Sequence, residues 1–444
     1  MKHINLRTTI IYCLLFWSTS IIKAQNKQVK LTQSQIHNVV DSIASILDTN
    51  YIFPEVATKM NSKIQGNFKK GMYKKIKDPQ VLAASLTKEL QEISHDKHLR
   101  VIYNPEQIEA EKRVITTEDS LAYVKNRVNQ MKYQNFGFKE VKILDGNIGY
   151  LDLRAFMDTE YASETAVAAM NFLSSSEVII IDLRQNGGGS PSMIQLITSY
   201  LFRSNPVHLN NFYNRSADRS SQTWTLPHVP GKRNPDAKVF VLTSSSTFSA
   251  AEEFSYNLKH LERATLIGET TGGGAHPGGT INATEGFMVW TPTGRAINPI
   301  TNTNWEGVGV IPHVKVEAKK ALEVAEMKAL EYLAAKATDD GLKFRYNWAL
   351  TNKKAMSNPM TVKQSVLKSY VGTYEVRNIT MENGELIYQR ENRGKHKLVP
   401  VSENEFMVGN ISFFRIRFIK ENNKIVALEG LYDTGRSDKN LKTN

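Results

Sequence analysis

At 444 residues the chain is long enough for two or three domains, and 41% hydrophobic with 23% charged residues is the balance of a soluble globular protein. The net charge of +12 is spread along the chain, with only small clusters such as Lys69-Lys70 and Lys74-Lys75-Ile76-Lys77. No aromatic or recognition-helix pattern accompanies it, so a basic solvated surface is expected and a nucleic-acid partner is not.

Residues 1–24 place Lys2 and Arg7 before an apolar run through Ile10, Ile11, Leu14, Leu15, Phe16 and Trp17, and end on the small residue Ala24. This predicts a secretory signal peptide cleaved near Ala24, a periplasmic or secreted product and no stable membrane insertion afterwards. The single cysteine, Cys13, lies inside that segment. The mature protein is then expected to carry no thiol, which excludes cysteine catalysis, disulfides and cysteine-based zinc sites. Its formal charge falls to about +9 with Lys2, Arg7 and Lys23 removed.

An N-terminal helical domain is expected over 25–133. Ile36, Val39, Val40, Ile43, Ile46 and Leu47 form a helical stripe, and Asp78-Pro79 is an N-cap followed by proline at the first helical position, ahead of Leu82, Leu86, Leu90 and Ile93. The segment 94–103 then holds His95 and His98 in a tight loop that runs into a strand. Residues 106–133 read as a charged helical connector, without the carboxylate-binding Gly-Leu-Gly loop of a PDZ domain.

From Phe136 the pattern is α/β, and a core of sheet and packed helices is expected over 134–345. Strands are predicted at 147–154, 178–184 and 239–242, and helices at 160–173, 193–201 and about 318–337. Residues 346–365 read as a polar linker. Beyond it, 366–444 alternate between short apolar runs and turns at Asn383-Gly384 and Asn422-Asn423, which predicts a small antiparallel β domain, a meander or an open barrel.

The chemistry concentrates where the strand at 239–242 turns into a helix with apolar residues at Ala251, Phe254, Leu258 and Leu261. Ser249 stands at that junction, beside unpaired backbone N–H groups and the positive end of the helix dipole. That environment suits a nucleophile whose attack creates an oxyanion. Ser249 with Glu252 three residues on is also a capping-box pattern, and one residue can serve both roles. Two glycine clusters follow buried strands, at 187–189 and 268–274. Neither fits a nucleotide fingerprint, because the first lacks the third glycine and the second lacks a Lys-Ser/Thr ending. They are expected to let backbone approach a substrate or to donate N–H groups to an oxyanion.

The ordered stretches Asp96-Lys-His-Leu-Arg100, Val178-Ile-Ile-Ile-Asp-Leu-Arg-Gln-Asn-Gly-Gly-Gly189, Ser246-Thr-Phe-Ser-Ala-Ala-Glu-Glu-Phe254, Ile267-Gly-Glu-Thr-Thr-Gly-Gly-Gly274 and Trp305-Glu-Gly-Val-Gly-Val310 resemble the C-terminal processing (tail-specific) serine protease family. The branch is that of tricorn protease and the interphotoreceptor retinoid-binding protein modules. The resemblance implies Ser249 as nucleophile, with an oxyanion hole from the N–H of Ala250 and one from Gly187 to Gly189, Gly187 and Gly188 foremost. The Ser-Lys proteases of the family carry their lysine base at the position of Gly274. The resemblance therefore implies the histidine-based arrangement instead, with His98 as base and Glu306 orienting it or stabilising its charge, directly or through a hydroxyl. His95 and His276 are alternative bases; the tricorn pattern of Ser before His fits Ser94-His95.

The implied function is a secreted serine endopeptidase acting on peptides or unfolded protein through an acyl-enzyme, with no metal and no cofactor. Two alternatives stay open: a non-catalytic binder of small hydrophobic ligands, like the retinoid-binding relatives, and an esterase using the same site.

Overall fold

In a computed structural model of the chain, residues 30–112 and 116–443 are described. The signal segment expected at 1–24, with Cys13, lies outside the described residues. At the centre is a six-stranded sheet in the order Val314–Lys315, Ala264–Gly268, Lys238–Thr243, Val178–Asp182, Ile148–Leu153, Phe138–Leu144. The first five are parallel and the last is an antiparallel edge.

Because both faces of this sheet are covered, its inner strands read as unbroken apolar runs. Ile179 and Ile181 point into one core, closed by the helices Thr159–Phe172, Pro191–Tyr200 and Ala250–His260. Val178 and Ile180, one residue out of phase, point into the other, closed by Ala321–Lys336 and Asp340–Ser357. Each such fully buried side chain contributes about 1.5–3 kcal/mol.

A separate core lies under the N-terminal helices Gln33–Asn50, Pro54–Lys69 and Pro79–Ser94. The Asp78 carboxylate caps the third of these by accepting the N–H groups of Gln80 and Val81, with Pro79 at the first turn. This core does not close with N-terminal residues alone. Phe287 and Val289 enter it from the strand Phe287–Pro292, which pairs antiparallel with Arg100–Tyr103 on one side and Gly278–Asn282 on the other. A late segment of the chain is thereby knitted into the first. The connector splits into Pro105–Lys112 and Thr117–Tyr133.

Two sequence expectations change. The segment read as a linker, 346–365, is helical as far as Ser357, because Asp339 caps the helix Asp340–Ser357 and its polar residues are satisfied by the β domain. Asn352 donates to the Ser412 carbonyl and accepts from Arg415, and the Trp348 indole also donates to Ser412. The strands His208–Asn214, Arg219–Trp224 and Gly294–Ile297 form a small sheet beside the core that the sequence pattern does not mark; the first two are rich in Asn, Ser and Thr and lack apolar alternation, and the third is only four residues long.

The C-terminal domain is an eight-stranded antiparallel meander from Gly372–Tyr374 to Ser437–Leu441, its ends drawn together by a bridge between Tyr374 and Lys442. It docks on the core through Arg415, whose guanidinium lies 3.9 Å from the Trp348 ring and donates to the Trp348 carbonyl at 2.6 Å. Trp348→Ala is expected to cost about 3–5 kcal/mol. The measurement is the midpoint of chemical denaturation, compared with Lys343→Ala at an exposed position of the same helix.

Candidate active site

Ser249 sits where the strand Lys238–Thr243, after a short hydroxyl-rich turn, gives way to the helix Ala250–His260. The turn is fastened to the neighbouring strand end. Thr247 Oγ1 donates to the Leu183 carbonyl at 2.8 Å, Ser244 Oγ to that of Arg184 at 2.5 Å, and Phe248 N–H to that of Asn186 at 3.0 Å. Ser249 itself has φ 56° and ψ −122°, a backbone state that costs a non-glycine residue about 1–3 kcal/mol and clusters at functional sites.

Glu252 holds it there. This side chain is fully buried, and its carboxylate accepts from Ser249 N at 2.9 Å, Gly274 N at 2.8 Å, Gly273 N at 2.6 Å and Thr271 Oγ1 at 2.5 Å. Burial pushes its pKa up, and these donors pull it back. The first helical N–H groups are met by backbone: Glu252 N and Glu253 N donate to the Ser249 carbonyl and Ala251 N to that of Phe248. The start of the helix is therefore satisfied without relying on the Ser249 hydroxyl.

Among the described residues, the N–H of Ala250 and that of Gly187 have no acceptor. Gly188, expected as an oxyanion donor, is different: its N–H is given to Asn186 Oδ1 at 2.8 Å. The reason for glycine there is space, since a Cβ on Gly188 would stand 2.8 Å from the Ser249 Cβ.

His98 is buried between two rings, with Phe248 at 4.6 Å and Trp290 stacked at 5.0 Å. Phe248 directly precedes Ser249, and Trp290 is the cross-strand partner of Arg100. The imidazole therefore packs against the residue next to Ser249. Burial pushes its pKa down to about 4 despite the nearby Asp96, so the ring is neutral at pH 7. Its Nδ1 is buried without a partner. A Cβ on Gly274 would come within 2.7 Å of His98 Cε1 and closer still to the Phe248 ring. The position that carries lysine in the Ser-Lys relatives is thus bare here, and His98 and Phe248 occupy the space beside it.

Glu306 lies in the loop after Trp305, which is laced to the second glycine loop. The Trp305 indole donates to Gly274 O at 2.8 Å, and Ala275 N donates to Glu306 Oε2 at 2.5 Å. The carboxylate meets His276, not His98: His276 Nδ1 is 3.4 Å from Glu306 Oε2 and 2.8 Å from Asp96 Oδ2. A direct Glu306–His98 hydrogen bond is therefore absent among the described residues, because Oε2 is already engaged, and Oε1 is buried without a partner. Burial and the Asp96 charge raise the Glu306 pKa.

Asp96, which sequence reasoning did not single out, reaches His98 by another route. Its Oδ1 accepts the His98 backbone N–H at 3.0 Å, its Oδ2 holds His276, and Tyr51 Oη stands 3.4 Å away. The signal was an aspartate two residues before a histidine, the spacing of an Asx turn. Lys97 adds a tie by donating to Gly272 O at 2.5 Å. His95, in contrast, is exposed at the helix end with φ 55°. Asp96, His276 and Glu306 each bring one possible metal-ligand atom within 4.8 Å of the others; His276 is already hydrogen-bonded to Asp96, and Glu306 lies 3.4 Å from the same nitrogen.

A serine on a strained turn with two unpaired N–H groups alongside and a neutral imidazole close by is the equipment of acyl transfer. Residues 147–316 match the family model for peptidase family S41, and residues 22–134 match the N-terminal domain of Peptidase_S41 in eukaryotic IRBP. The two matches together span more than half of the chain, which belongs to peptidase family S41 and is a serine-type peptidase acting on peptides or proteins. Similar solved structures include a candidate peptidase from Parabacteroides merdae (19% identity, TM-score 0.45, 64% of this chain and 90% of the other). The photosystem II D1 C-terminal processing protease is 14% identical, with TM-score 0.40 over 65% and 94%. The tricorn protease is 15% identical, with TM-score 0.41 over 72% and 37%. At these scores the family assignment rests on the two domain matches.

Glu252→Ala strands four donors and is expected to cost about 3–5 kcal/mol. Glu252→Gln, which keeps one acceptor oxygen, should cost less, and denaturation midpoints of the two variants rank them.

Proposed function

We propose that the chain is a secreted or periplasmic endopeptidase in which Ser249 attacks the scissile carbonyl, His98 takes the proton and returns it to the leaving amine, and an acyl-enzyme is hydrolysed in a second step. The observation that carries this reading is the conjunction at one turn. Ser249 is held at positive φ by Glu252, and Ala250 N–H and Gly187 N–H are left free. The His98 ring packs on Phe248 beside them. The two N–H groups are proposed to receive the oxyanion.

Glu306 and Asp96 act through the scaffold in this scheme. Asp96 fixes the His98 backbone, His276 joins Asp96 to Glu306, and the negative cluster favours the imidazolium that forms during proton transfer. Among the described residues no helix is long and apolar enough to cross a membrane. The basic surface carries no proposed nucleic-acid role.

A fluorophosphonate probe is expected to label the purified protein and to lose all labelling in Ser249→Ala; persistent labelling in that variant overturns the assignment. His98→Ala is expected to lower kcat by about 10²–10⁴-fold with the fold intact.

The pH profile supplies a separate check. A base must be neutral to act, and His98 in the free enzyme is charged only below about pH 4. The acid limb of kcat/KM is therefore expected near pH 4. A midpoint near 7 would instead point to a group other than His98, such as Glu306, whose carboxyl is raised to about 7 by burial and the Asp96 charge. Gly274→Ala, which drives a methyl group into His98 and Phe248, should depress kcat/KM while costing about 1–3 kcal/mol of stability.

A further inference from the structure

The C-terminal meander is closed at one end and open at the other. At the closed end Tyr370, from the helix Gln364–Tyr370, stacks on Phe418 at 4.1 Å, and Phe406 packs edge-on at 5.7 Å. Four residues back along the same strand, Phe414 stands instead beside a cavity of about 230 Å³. Tyr388 and Tyr432 wall it, with ring centres 5.9 Å and 5.1 Å from Phe414, and the half-exposed Phe413 lies at its rim. An eight-stranded barrel is wide enough to be filled by side chains or to hold one small ligand, and here the two ends divide those roles.

The polar lining of this cavity is cationic. Arg390, Arg393 and His396 face it, and no carboxylate is among its described lining residues. Arg390 Nε is buried with no hydrogen-bond partner. Directly across the strand pair from Arg390 is Arg377, so both side chains lie on the inner face of the sheet. Arg377 is 1% exposed, and its guanidinium is 5.3 Å from the Phe414 ring that lines the cavity.

Asp438 Oδ1 meets Arg377 Nη2 at 2.7 Å, yet Arg377 Nε and Nη1 remain buried and unpaired. Gly430 makes room for this pair, since a Cβ there would run into Arg377 Nη1. Burying a guanidinium with unmet N–H groups is costly, so such a group is a standing demand for an acceptor. One aspartate against two arginines leaves an uncompensated positive charge at the inner face.

We propose that the open end of the barrel binds a carboxylate carried on one aromatic or branched apolar group. The Arg390 fork receives the carboxylate, and Tyr388, Phe414 and Tyr432 enclose the apolar body. The volume falls below the 300–1,000 Å³ typical of pockets for drug-sized ligands, which restricts the body to about one side chain. The C-terminal residue of a peptide and a small free arylalkanoic acid both carry this chemistry. The site lies outside the Ser249 region and does not depend on the catalytic reading.

The test is calorimetric titration of the full chain, blocked at Ser249 with fluorophosphonate or carrying Ser249→Ala, with N-acetylphenylalanine, its amide and 3-phenylpropanoate. N-acetylphenylalanine is expected to bind at least tenfold more tightly than the amide. Arg390→Gln is expected to lose at least tenfold in affinity while its Ser249-intact form cleaves an amidated peptide at the parental rate.

Equal affinity for 3-phenylpropanoate and N-acetylphenylalanine identifies free acids as the source; preference for the latter identifies peptide termini. Binding that is indifferent to the carboxylate or to Arg390→Gln overturns the proposal, as does no binding by any of the three. Phe413→Ala, at the rim, is a second variant expected to weaken binding without disturbing the fold.

Discussion

One buried carboxylate organises the region around Ser249. Glu252 is completely withdrawn from solvent, an expensive position for an ionisable group, and it is retained by four hydrogen bonds, one from Ser249 and three from the loop at 271–274. Those bonds fix the Ser249 backbone in a state it would not adopt alone, and they also set the path of the glycine loop at 271–274. That path in turn places Gly274 against His98 and hands its carbonyl to Trp305, which anchors the loop of Glu306. Ser249, the His98 imidazole and the loop of Glu306 are thus positioned relative to one carboxylate, and no hydrogen bond joins any two of them among the described residues.

The contribution of the N-terminal unit depends on a strand exchange. His98 is delivered by a loop whose following strand, Arg100–Tyr103, pairs with Phe287–Pro292. Trp290, on that second strand, forms one wall of the imidazole slot, while Phe248 from the central unit forms the other. The hydrophobic burial of Phe287 and Val289 supplies the adhesion, and Lys97, reaching Gly272, adds a polar tie between the two units.

Much of the fold was legible in the sequence because local signals agree with the tertiary environment. The run Val178-Ile-Ile-Ile-Asp182 is apolar on both faces because both faces are covered, and Asp78-Pro79 starts a helix where an N-cap and a proline predict it. The linker reading failed because Asn352 and its neighbours are polar residues satisfied by a partner domain that sequence periodicity cannot see. At the site, Ser249, His98 and Glu306 were legible as members of a recognisable series of motifs. Their connections were not, since the link from Glu306 through His276 to Asp96 crosses three loops far apart in the chain. Glu252 was visible only as a helix cap because its bonds to Thr271, Gly273 and Gly274 are long-range.

Gly274 is the point at which the second glycine loop and the imidazole slot constrain each other. The first carbon of any side chain at 274 would claim volume that the His98 ring and Phe248 already fill. A lysine at that position would therefore have to displace the His98 ring or Phe248, so the size of residue 274 and the placement of the imidazole are set together.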